Sequence, residues 1–270
     1  MTEIELRGAA ETAIWTLYTR AVEAQRPDSV LDDPTCVQVF EAIDYPYERT
    51  FGKDQSGIHG EKSRIFDTVV QGWLAENPRG TVVELGAGLE TEFHRVDNGT
   101  VSWICVDLPE VIAVRNRFLP ATERCRNVAA DVRDLSWCDQ IEAGPVLVTA
   151  QSLLMFLSEE QARELVVAIV KKFPGAEIVF DVISPTVSKR TIKGYDLTEH
   201  YRFPVLHWGV KKKDIAALVR QWHPDLRIVK THSFGAVHGM QKAIKPLALR
   251  LPGLREILPN VIHVQSRADR

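Results

Sequence analysis

The stretch that decides the fold runs from Thr81 to Asp107 and reads TVVELGAGLETEFHRVDNGTVSWICVD. It begins with an apolar run typical of a buried strand and then turns at Gly86 and Gly88. Because glycine has no Cβ atom and adopts positive φ easily, closely spaced glycines allow the backbone to pass tightly beneath a ligand. The pattern predicts a strand, a tight turn and a bound cofactor.

A second apolar run follows the turn and ends on a carboxylate. It extends from Val101 to Val106, and Asp107 comes 21 residues after Gly86. In a strand–turn–helix–strand unit, an acidic residue at this distance lies at the tip of the neighbouring strand, where it can accept hydrogen bonds from both hydroxyls of a ribose. The spacing therefore predicts a ligand that contains a nucleoside.

The residues around the turn indicate the class of nucleoside. A dinucleotide-binding turn carries a third glycine so that a helix N-terminus can approach a pyrophosphate, whereas this chain has Thr91 in that place. Glu84, Glu90 and Glu92 would add negative charge that repels a pyrophosphate. The pattern favours a cationic cofactor, S-adenosylmethionine. An NAD-dependent dehydrogenase, and a glycine turn without a ligand, remain as alternatives.

The composition is that of an ordinary globular protein. The 270 residues are 45% hydrophobic and 26% charged, and the net charge of -3 argues against a general nucleic-acid binder. The N-terminus lacks the basic start of a secretory signal and no run is long enough to span a membrane, so we expect a soluble, cytoplasmic protein. The four cysteines form no CxxC pair, which predicts reduced, mostly buried thiols and no metal site.

The periodicity predicts one α/β domain over residues 1–270. Residues 1–80 form a helical cap, and residues 81–270 form a doubly wound core sheet with insertions at 186–210 and 235–258. The last strand is expected to be antiparallel, because no regular helix separates it from the strand before it. The predicted strands cover residues 81–85, 101–106, 126–130, 145–150, 177–182, 227–232 and 261–265.

Four segments occur in a specific order along the chain. They are the strand 82–85, the turn 86–91 (GAGLET), residues 106–112 (VDLPEVI) and residues 151–157 (QSLLMFL). Together they resemble the leucine carboxyl methyltransferase family, and within it the bacterial polyketide O-methyltransferases of the tetracenomycin type. The resemblance implies a class I S-adenosylmethionine-dependent methyltransferase with a Rossmann-like, seven-stranded, mostly parallel sheet and an antiparallel last strand.

The same resemblance implies roles for individual residues. Arg64, on the helix before the first strand, would bind the cofactor's carboxylate, and Asp107 would bind the ribose. Asp131 and Val132 would bind the adenine, and Gln151, after the fourth strand, would face the cofactor's amino group. The cofactor-binding residues that this chain is expected to use are Arg64, Glu84, Gly86, Gly88, Asp107, Asp131, Val132 and Gln151.

The chain departs from the family pattern at three points. Gln151 stands where the family commonly has glutamate, so a charge is lost while an acceptor oxygen remains. Phe156 replaces a favoured tyrosine, and Glu90-Thr91-Glu92 replaces Asp-Thr-Arg. None of these changes removes the cofactor site, but they weaken any inference that the chain shares a relative's substrate.

The acceptor side is expected to involve the first insertion. His200 and His207 are candidates for a catalytic base, which a phenol needs and a carboxylate does not. Arg190, Tyr201 and Trp208 are candidates for binding the acceptor.

The resulting hypothesis is an O-methyltransferase acting on a carboxyl or hydroxyl group of a small polyketide-like or aromatic molecule. A non-catalytic S-adenosylmethionine-binding scaffold is the alternative, motivated by Gln151 and Phe156. A homodimer is compatible with the sequence, which does not fix the oligomeric state.

Overall fold

The computed structural model describes residues 6–239, 242, 246–247 and 250–267. Most of its strands form one sheet, and two short strands form a separate hairpin. The strands are β1 (Thr81–Leu85), β2 (Ser102–Asp107), β3 (Cys125–Ala129), β4 (Val146–Ala150), β5 (Glu177–Val182), β6 (Tyr195–Asp196), β7 (Arg202–Phe203), β8 (Leu226–Ser233) and β9 (Asn260–Ser266). The hairpin consists of β6 and β7, and the other seven strands form the sheet in the order β3-β2-β1-β4-β5-β9-β8.

Strands β1 to β5 pair in parallel, whereas β9 is antiparallel to both of its neighbours, β5 and β8. The predicted seven-stranded, mostly parallel sheet and the antiparallel last strand are therefore confirmed. The register of β9 is set by Val182 opposite Asn260 at one end and Glu177 opposite Gln265 at the other. Placing β9 between β5 and β8 moves the sheet edge to β8, where Leu226 is buried and the other residues are half-buried or exposed.

The topology fixes where a ligand can bind. From β1 the chain builds outward to β2 and β3, then returns to place β4 on the other side of β1. In open sheets of this kind, ligands bind beyond the carboxyl ends of the strands at the point where the order reverses. All residues of β1 and β4 are buried, as expected for central parallel strands covered by helices on both faces.

Helices cover both faces of the sheet. They are α1 (Thr12–Ala24), α2 (Pro34–Ala42), α3 (Tyr47–Phe51), α4 (Ile58–Glu76), α5 (Glu92–Val96), α6 (Pro109–Phe118), α7 (Glu159–Lys172), α8 (Pro185–Ile192) and α9 (Ile215–Trp222), with a helical turn at Pro252–Arg255. The residues that predicted the starts of α6 and α7 do lie at the starts of these helices. Pro109 opens α6, and Ser158 and Gln161 form a reciprocal capping box at the start of α7. Among the described residues, no helix has the length and apolar character needed to cross a membrane.

The four helices before β1 have a core of their own that is rich in aromatic rings. Tyr18 of α1 stacks on Tyr47 of α3 with 5.4 Å between ring centroids and on Phe51 with 6.4 Å. Tyr201, from the first insertion, meets the Phe51 ring edge-on at 4.8 Å. The cap and the first insertion are thus packed together over one end of the sheet.

The first insertion is more regular than its sequence indicated. Residues 186–210 lack strong periodicity, yet they contain most of α8 and the β6–β7 hairpin. Side-chain hydrogen bonds hold this helix, because Ser188 and Thr191 both donate to the carbonyl oxygen of Leu206, at 2.8 and 3.5 Å. Within the second predicted insertion, 235–258, residues 240–241, 243–245 and 248–249 lie outside the described residues.

The burial of side chains in the central strands leads to a prediction about the free energy of unfolding. Leu147 of β4 is fully buried, so Leu147→Ala removes apolar contacts and leaves a cavity. We expect a loss of about 2–5 kcal/mol in the free energy of unfolding, measured by urea titration. Val229→Ala in β8 is the control, because Val229 is 50% exposed and its truncation should cost about 0.5 kcal/mol or less. Equal losses in the two variants would contradict this assignment of the core.

Candidate active site

The glycine turn after β1 is pressed between two other parts of the chain. Gly86 and Gly88 have φ of +64° and +50°, which disfavour any residue with a Cβ atom. A Cβ on Gly86 would lie 2.9 Å from Leu153, and one on Gly88 would lie 3.2 Å from the Cβ of Ala13 in α1. The turn therefore needs glycine both for its conformation and for the close approach of its neighbours.

Asp107, at the tip of β2, holds this turn from the side. Its Oδ2 accepts a hydrogen bond from the backbone N–H of Gly88 at 2.7 Å, and its Oδ1 accepts one from Leu108 at 2.7 Å. Burial raises the pKa of Asp107 above its ordinary value, although these two N–H donors act in the opposite direction. The carboxylate lies beside the glycine turn, as its spacing in the sequence predicts.

A cavity of about 270 Å³ opens at the carboxyl ends of β1, β2 and β4. It collects most of the residues expected to bind the cofactor. Those that line it are Glu84, Gly86, Gly88, Asp107, Asp131, Val132 and Gln151. We call this space the glycine-turn cavity.

The structure does not bring Arg64 to the glycine-turn cavity. Its side chain is exposed and lines a separate cavity together with Lys212 and His232. The reason is the rotational phase of α4, in which Lys62 and Ser63 are buried and face the sheet while Arg64 points away from it. Arg64 therefore has no contact with the site that the family resemblance assigned to it.

Two buried cations line the glycine-turn cavity, and sequence reasoning missed both. They are Arg20 of α1 and Lys62 of α4, each only 3% exposed. A signal for Arg20 existed, because it interrupts the apolar stripe that Leu17 and Ala21 continue along α1. An arginine in a buried stripe needs a partner or a ligand.

The partner of Arg20 is Glu90, in the turn itself. Arg20 lies 2.9 Å from Glu90 Oε2, and Arg95 of α5 lies 2.8 Å from Oε1. Arg95 also binds Asp67 of α4 at 2.8 Å and Asp33, which caps α2. We call these five side chains the Glu90 cluster. It connects three cap helices to the glycine turn by buried, charge-assisted hydrogen bonds.

A third arginine secures the turn from the opposite side. Arg115 of α6 is 1% exposed and donates to the carbonyl oxygens of Gly88 and Glu90, at 3.1 and 2.7 Å. Its Nε donates to Asn127 Oδ1 of β3 at 2.9 Å. The backbone of the turn is therefore held by buried guanidinium groups from both α1 and α6, since Arg20 also donates to the Leu89 carbonyl at 2.9 Å.

The acidic residues near the turn do not act as their sequence indicated. Burial opposes the ionisation of Glu90, but Arg20 and Arg95 outweigh it and lower its pKa, so its charge is compensated. Glu92 is fully buried beneath the turn, where burial and the neighbouring carboxylates raise its pKa well above the ordinary value. Burial also raises the pKa of Glu84 to about 7. The sequence predicted three carboxylates that would repel a pyrophosphate, but the turn does not present three uncompensated negative charges.

A second cavity, of about 350 Å³, adjoins the first. Most of its wall is apolar and comes from the cap, α8, the β6–β7 hairpin and the loops after β4 and β5. The apolar residues that line it include Trp15, Ile58, Met155, Phe156, Ile183, Val187, Leu197, Phe203, Leu206 and Phe234. Six residues line both cavities, namely Thr12, Thr16, His59, Lys62, Ser152 and Phe156. We call the second space the apolar cavity and these six residues the shared wall.

A buried charged group stands within the shared wall. Lys62 hydrogen-bonds to the hydroxyl of Ser152 and lies 3.5 Å from Asp181 at the end of β5. The carboxylate of Asp181 also accepts the backbone N–H of Ser152. These contacts hold Ser152 at φ +56°, a left-handed conformation that is uncommon for a residue with a side chain. The strained residue lies where the two cavities meet.

The residues expected to serve the acceptor lie elsewhere. His200 and His207 are exposed, and neither lines the apolar cavity. Arg190 is also exposed, with its guanidinium 3.8 Å from the ring centroid of Tyr195. Tyr201 and Trp208 are buried as packing residues, Tyr201 in the aromatic core of the cap and Trp208 against Trp222 with its Nε1 donating to the Leu154 carbonyl at 2.8 Å.

One histidine that the sequence did not single out does reach the site. His59, in the first turn of α4, belongs to the shared wall. Its Nδ1 lies 3.0 Å from Thr19 Oγ1, and Trp15 packs edge-on against its ring at 4.6 Å. Its position depends on how α4 packs against α1, which local sequence patterns do not reveal.

Comparison with known proteins gives consistent matches. Residues 13–170 match the family described as leucine carboxyl methyltransferase. The tetracenomycin polyketide synthesis O-methyltransferase TcmP of Streptomyces glaucescens is 33% identical over 186 residues, which cover 67% of this chain and 68% of that protein. The S-adenosyl-L-methionine-dependent methyltransferase dpfgK of Gibberella zeae is 29% identical over 202 residues, which cover 66% and 67% respectively.

Solved structures support the fold alone. A SAM-dependent methyltransferase from Anabaena variabilis superposes with a TM-score of 0.51 at 12% identity, covering 99% of this chain and 98% of its own. The CurJ carbon methyltransferase superposes with a TM-score of 0.53 at 14% identity, covering 96% and 68%. Both share the sheet architecture that the sequence predicted.

The Glu90 cluster predicts a pH-dependent stability. Glu90→Ala leaves Arg20 buried without its anion, so we expect a loss of about 3–5 kcal/mol in the free energy of unfolding at neutral pH, measured by urea titration. Because the native pKa of Glu90 is lowered, its contribution is present above the pKa of the unfolded state and is lost as the pH falls through the native pKa. The difference between wild type and variant should therefore shrink in acid.

Glu164→Ala is the matched control for this experiment, because Glu164 is exposed on α7. It should change stability by about 0.5 kcal/mol or less at every pH. A Glu90→Ala variant as stable as Glu164→Ala would show that the Glu90 cluster does not hold the cap to the turn.

Proposed function

The chain belongs to the leucine carboxyl methyltransferase family, and we propose that it transfers the methyl group of S-adenosylmethionine to an oxygen atom of a small polyketide-like or aromatic molecule. The observation that carries this proposal is the pair of cavities with a shared wall. The glycine-turn cavity has the polar groups that a nucleoside requires, and the apolar cavity has a surface suited to an aromatic ring.

The residues of the glycine-turn cavity fit S-adenosylmethionine. Asp107 would accept the ribose hydroxyls, and Asp131 and Val132, which line the same cavity, would hold the adenine. Arg20 replaces Arg64 as the group for the cofactor's carboxylate, because its Nε is buried without a hydrogen-bond partner among the described residues. An unpaired guanidinium N–H beside this cavity suits an incoming carboxylate.

The amino group of the cofactor would meet the end of β4. Gln151 donates its Nε2 to Glu90 at 3.1 Å and accepts from Ser63 at 3.2 Å, so its amide is fixed and its oxygen keeps a second acceptor position. Glutamate is common here in the family, and in this chain Glu90 supplies a negative charge at the same place. The replacement by Gln151 is therefore compatible with cofactor binding.

The wall of the apolar cavity supports an aromatic acceptor. Trp15, Phe156 and Phe203 line this space, and its volume suits a molecule of a few fused rings better than a peptide. The name of the relative TcmP, an O-methyltransferase of polyketide synthesis, agrees with this class of acceptor.

The chemistry requires mainly alignment. S-adenosylmethionine supplies a methyl group on a sulfonium sulfur, which makes that carbon open to attack by an oxygen nucleophile. The protein has to hold the acceptor oxygen in line with it and to exclude water, and such positioning can lower the barrier by roughly 7–11 kcal/mol. Cap residues on α1 and α4 form the wall at which the two ligands would meet, so the cap performs this positioning.

Binding of S-adenosylhomocysteine tests the cofactor site. Asp107→Ala removes the acceptor for the ribose and two contacts of the turn, and we expect a loss in affinity of roughly 10- to 100-fold by isothermal calorimetry. Arg64→Ala is the matched comparison, since Arg64 lies outside the glycine-turn cavity and its variant should bind as the wild type does. Failure of the folded wild type to bind this ligand would refute the proposal.

Transfer itself is tested with labelled S-adenosylmethionine and a panel of aromatic phenols and aromatic carboxylic acids. We expect methylation of at least one member at an oxygen atom, identified by mass spectrometry and by stability to mild base, which cleaves methyl esters but not methyl ethers. Cofactor binding with no transfer across the panel would favour the non-catalytic scaffold instead. Transfer to nitrogen or carbon would keep the methyltransferase and reject the O-specificity.

A further inference from the structure

We infer that Ser184, at the start of α8, forms a specificity subsite in the apolar cavity, where its hydroxyl binds a hydroxyl or carbonyl oxygen of the acceptor other than the oxygen that is methylated. The inference rests on the proposed function and deepens it, because it adds a second polar group to the chemical class of the acceptor. Ser184 is 2% exposed and lines the apolar cavity. Among the described residues that line this cavity, its Oγ is the one buried side-chain oxygen that lacks a hydrogen-bond partner.

The hydroxyl of Ser184 does not perform the usual task of a serine at its position. Ser184 directly precedes α8, and a serine there normally accepts a hydrogen bond from a backbone N–H of the first turn. Ser158 does so at the start of α7, where its Oγ accepts from the N–H of Gln161 at 3.1 Å. In α8 the N–H groups of Val187 and Ser188 instead donate to the carbonyl oxygen of Ser184, at 3.1 and 3.3 Å. The side chain of Ser184 is therefore left for another partner.

Two other buried hydroxyls of α8 have their partners within the protein. Ser188 donates to the carbonyl oxygen of Leu206 at 2.8 Å, and Thr191 donates to the carbonyl oxygen of Ser188 at 2.9 Å. Burial of a polar group without a partner costs free energy, so most buried hydroxyls are hydrogen-bonded. An unpaired hydroxyl in the wall of an otherwise apolar cavity is suited to a partner that belongs to a ligand.

The backbone of Ser184 is fixed by the segment that packs on it. Val210 donates its N–H to the carbonyl oxygen of Ile183 at 2.9 Å. Gly209 approaches so closely that a Cβ atom there would lie 2.7 Å from the carbonyl carbon and oxygen of Ser184. The serine side chain has three staggered positions about a single bond, and rotation about that bond turns Oγ towards a ligand in the cavity. A hydroxyl on such a fixed backbone can recognise one oxygen at one place.

Ser184 lies apart from the wall at which methyl transfer would take place. It lines the apolar cavity alone, whereas Ser152 of the shared wall lines both cavities. The two serines are connected through Asp181, whose carboxylate accepts the backbone N–H of Ser152. Three residues of extended chain span at most about 11 Å, so Ser184 lies within this distance of Asp181. A molecule of a few fused rings can therefore have one oxygen at the shared wall and another at Ser184.

The chemistry of the hydroxyl defines what the subsite accepts. A serine hydroxyl has one donor and two acceptor positions, so it can donate to a carbonyl oxygen or accept from a hydroxyl group of the ligand. Because this contact is made away from the methylated oxygen, it applies equally to an acceptor that is methylated on a carboxyl group and to one that is methylated on a hydroxyl group.

Ligand binding to the complex with S-adenosylhomocysteine tests the subsite without turnover. The probes are 2-naphthoic acid and 2-naphthol, each compared by calorimetry with its 5-, 6- and 7-hydroxy derivatives. In the wild type we expect at least one hydroxy derivative to bind roughly 3- to 10-fold more tightly than its parent, which corresponds to one net hydrogen bond. Ser184→Ala should bind that derivative and its parent with equal affinity, and it should bind the parent as the wild type does.

Ser188→Ala is the matched control, because it removes a buried hydroxyl from the same helix that does not line the apolar cavity. It should keep the preference of the wild type for the hydroxy derivative, and it should lower the midpoint of thermal unfolding because the hydrogen bond to Leu206 is lost. Ser184→Ala should change that midpoint by less than about 2 °C, because Ser184 Oγ has no hydrogen bond to a described residue.

Three results would overturn the inference. The wild type could bind no hydroxy derivative more tightly than its parent, or the preference could persist in Ser184→Ala, which would show that another group recognises the hydroxyl. Equal loss of the preference in Ser184→Ala and Ser188→Ala would show an effect of the packing of α8. The proposed function is tested separately, since failure to bind S-adenosylhomocysteine or to transfer a methyl group to any acceptor would reject that function, whatever the preference among the naphthalene probes.

Discussion

The carboxylate of Glu90, bound between Arg20 and Arg95, is the interaction on which the rest of the site depends. It joins a helix that begins at residue 12 to a turn that ends the first strand, and Asp33 and Asp67 extend the connection to α2 and α4. Charges that are buried this deeply are tolerated only when their partners are in place. The cap and the sheet are therefore not independent parts, because Arg20 of the cap binds both the carboxylate of Glu90 and the carbonyl oxygen of Leu89 in the glycine turn.

This connection explains why the cap, rather than the sheet, forms the shared wall. The sheet supplies the groups that suit a nucleoside at its strand ends, as α/β methyltransferases do, and this S-adenosylmethionine-dependent enzyme follows that plan. The residues of the shared wall come mainly from α1 and α4. The Glu90 cluster includes residues of both helices, and His59 and Lys62 of α4 lie at the junction of the two cavities.

The sequence predicted the sheet and its acid-tipped strands well, and it predicted the cap residues poorly. Local apolar runs are enough to predict strands such as β1 and β4. The position of Asp107 follows from its spacing within one strand–turn–helix–strand unit. Arg64 lies outside the glycine-turn cavity and His59 lies in the shared wall, and the sequence of α4 predicted neither position for a common reason. Nine residues of α4 are buried, on more than one face, so its periodicity does not reveal which side meets the ligand. The contact of Arg20 with Leu89 spans 69 residues, and no local pattern encodes it.

The shared wall also affects how such an enzyme can diverge. Val187, Leu206 and Phe203 line the apolar cavity alone, on segments outside the parallel strands. Their replacement would reshape the apolar cavity and leave the lining of the glycine-turn cavity as it is. His59, Lys62 and Ser152 lack this freedom, since each borders both spaces. Under the proposed function, acceptor preference can therefore change through the outer wall of the apolar cavity, whereas a substitution on the side formed by α1 and α4 alters the space for both ligands at once.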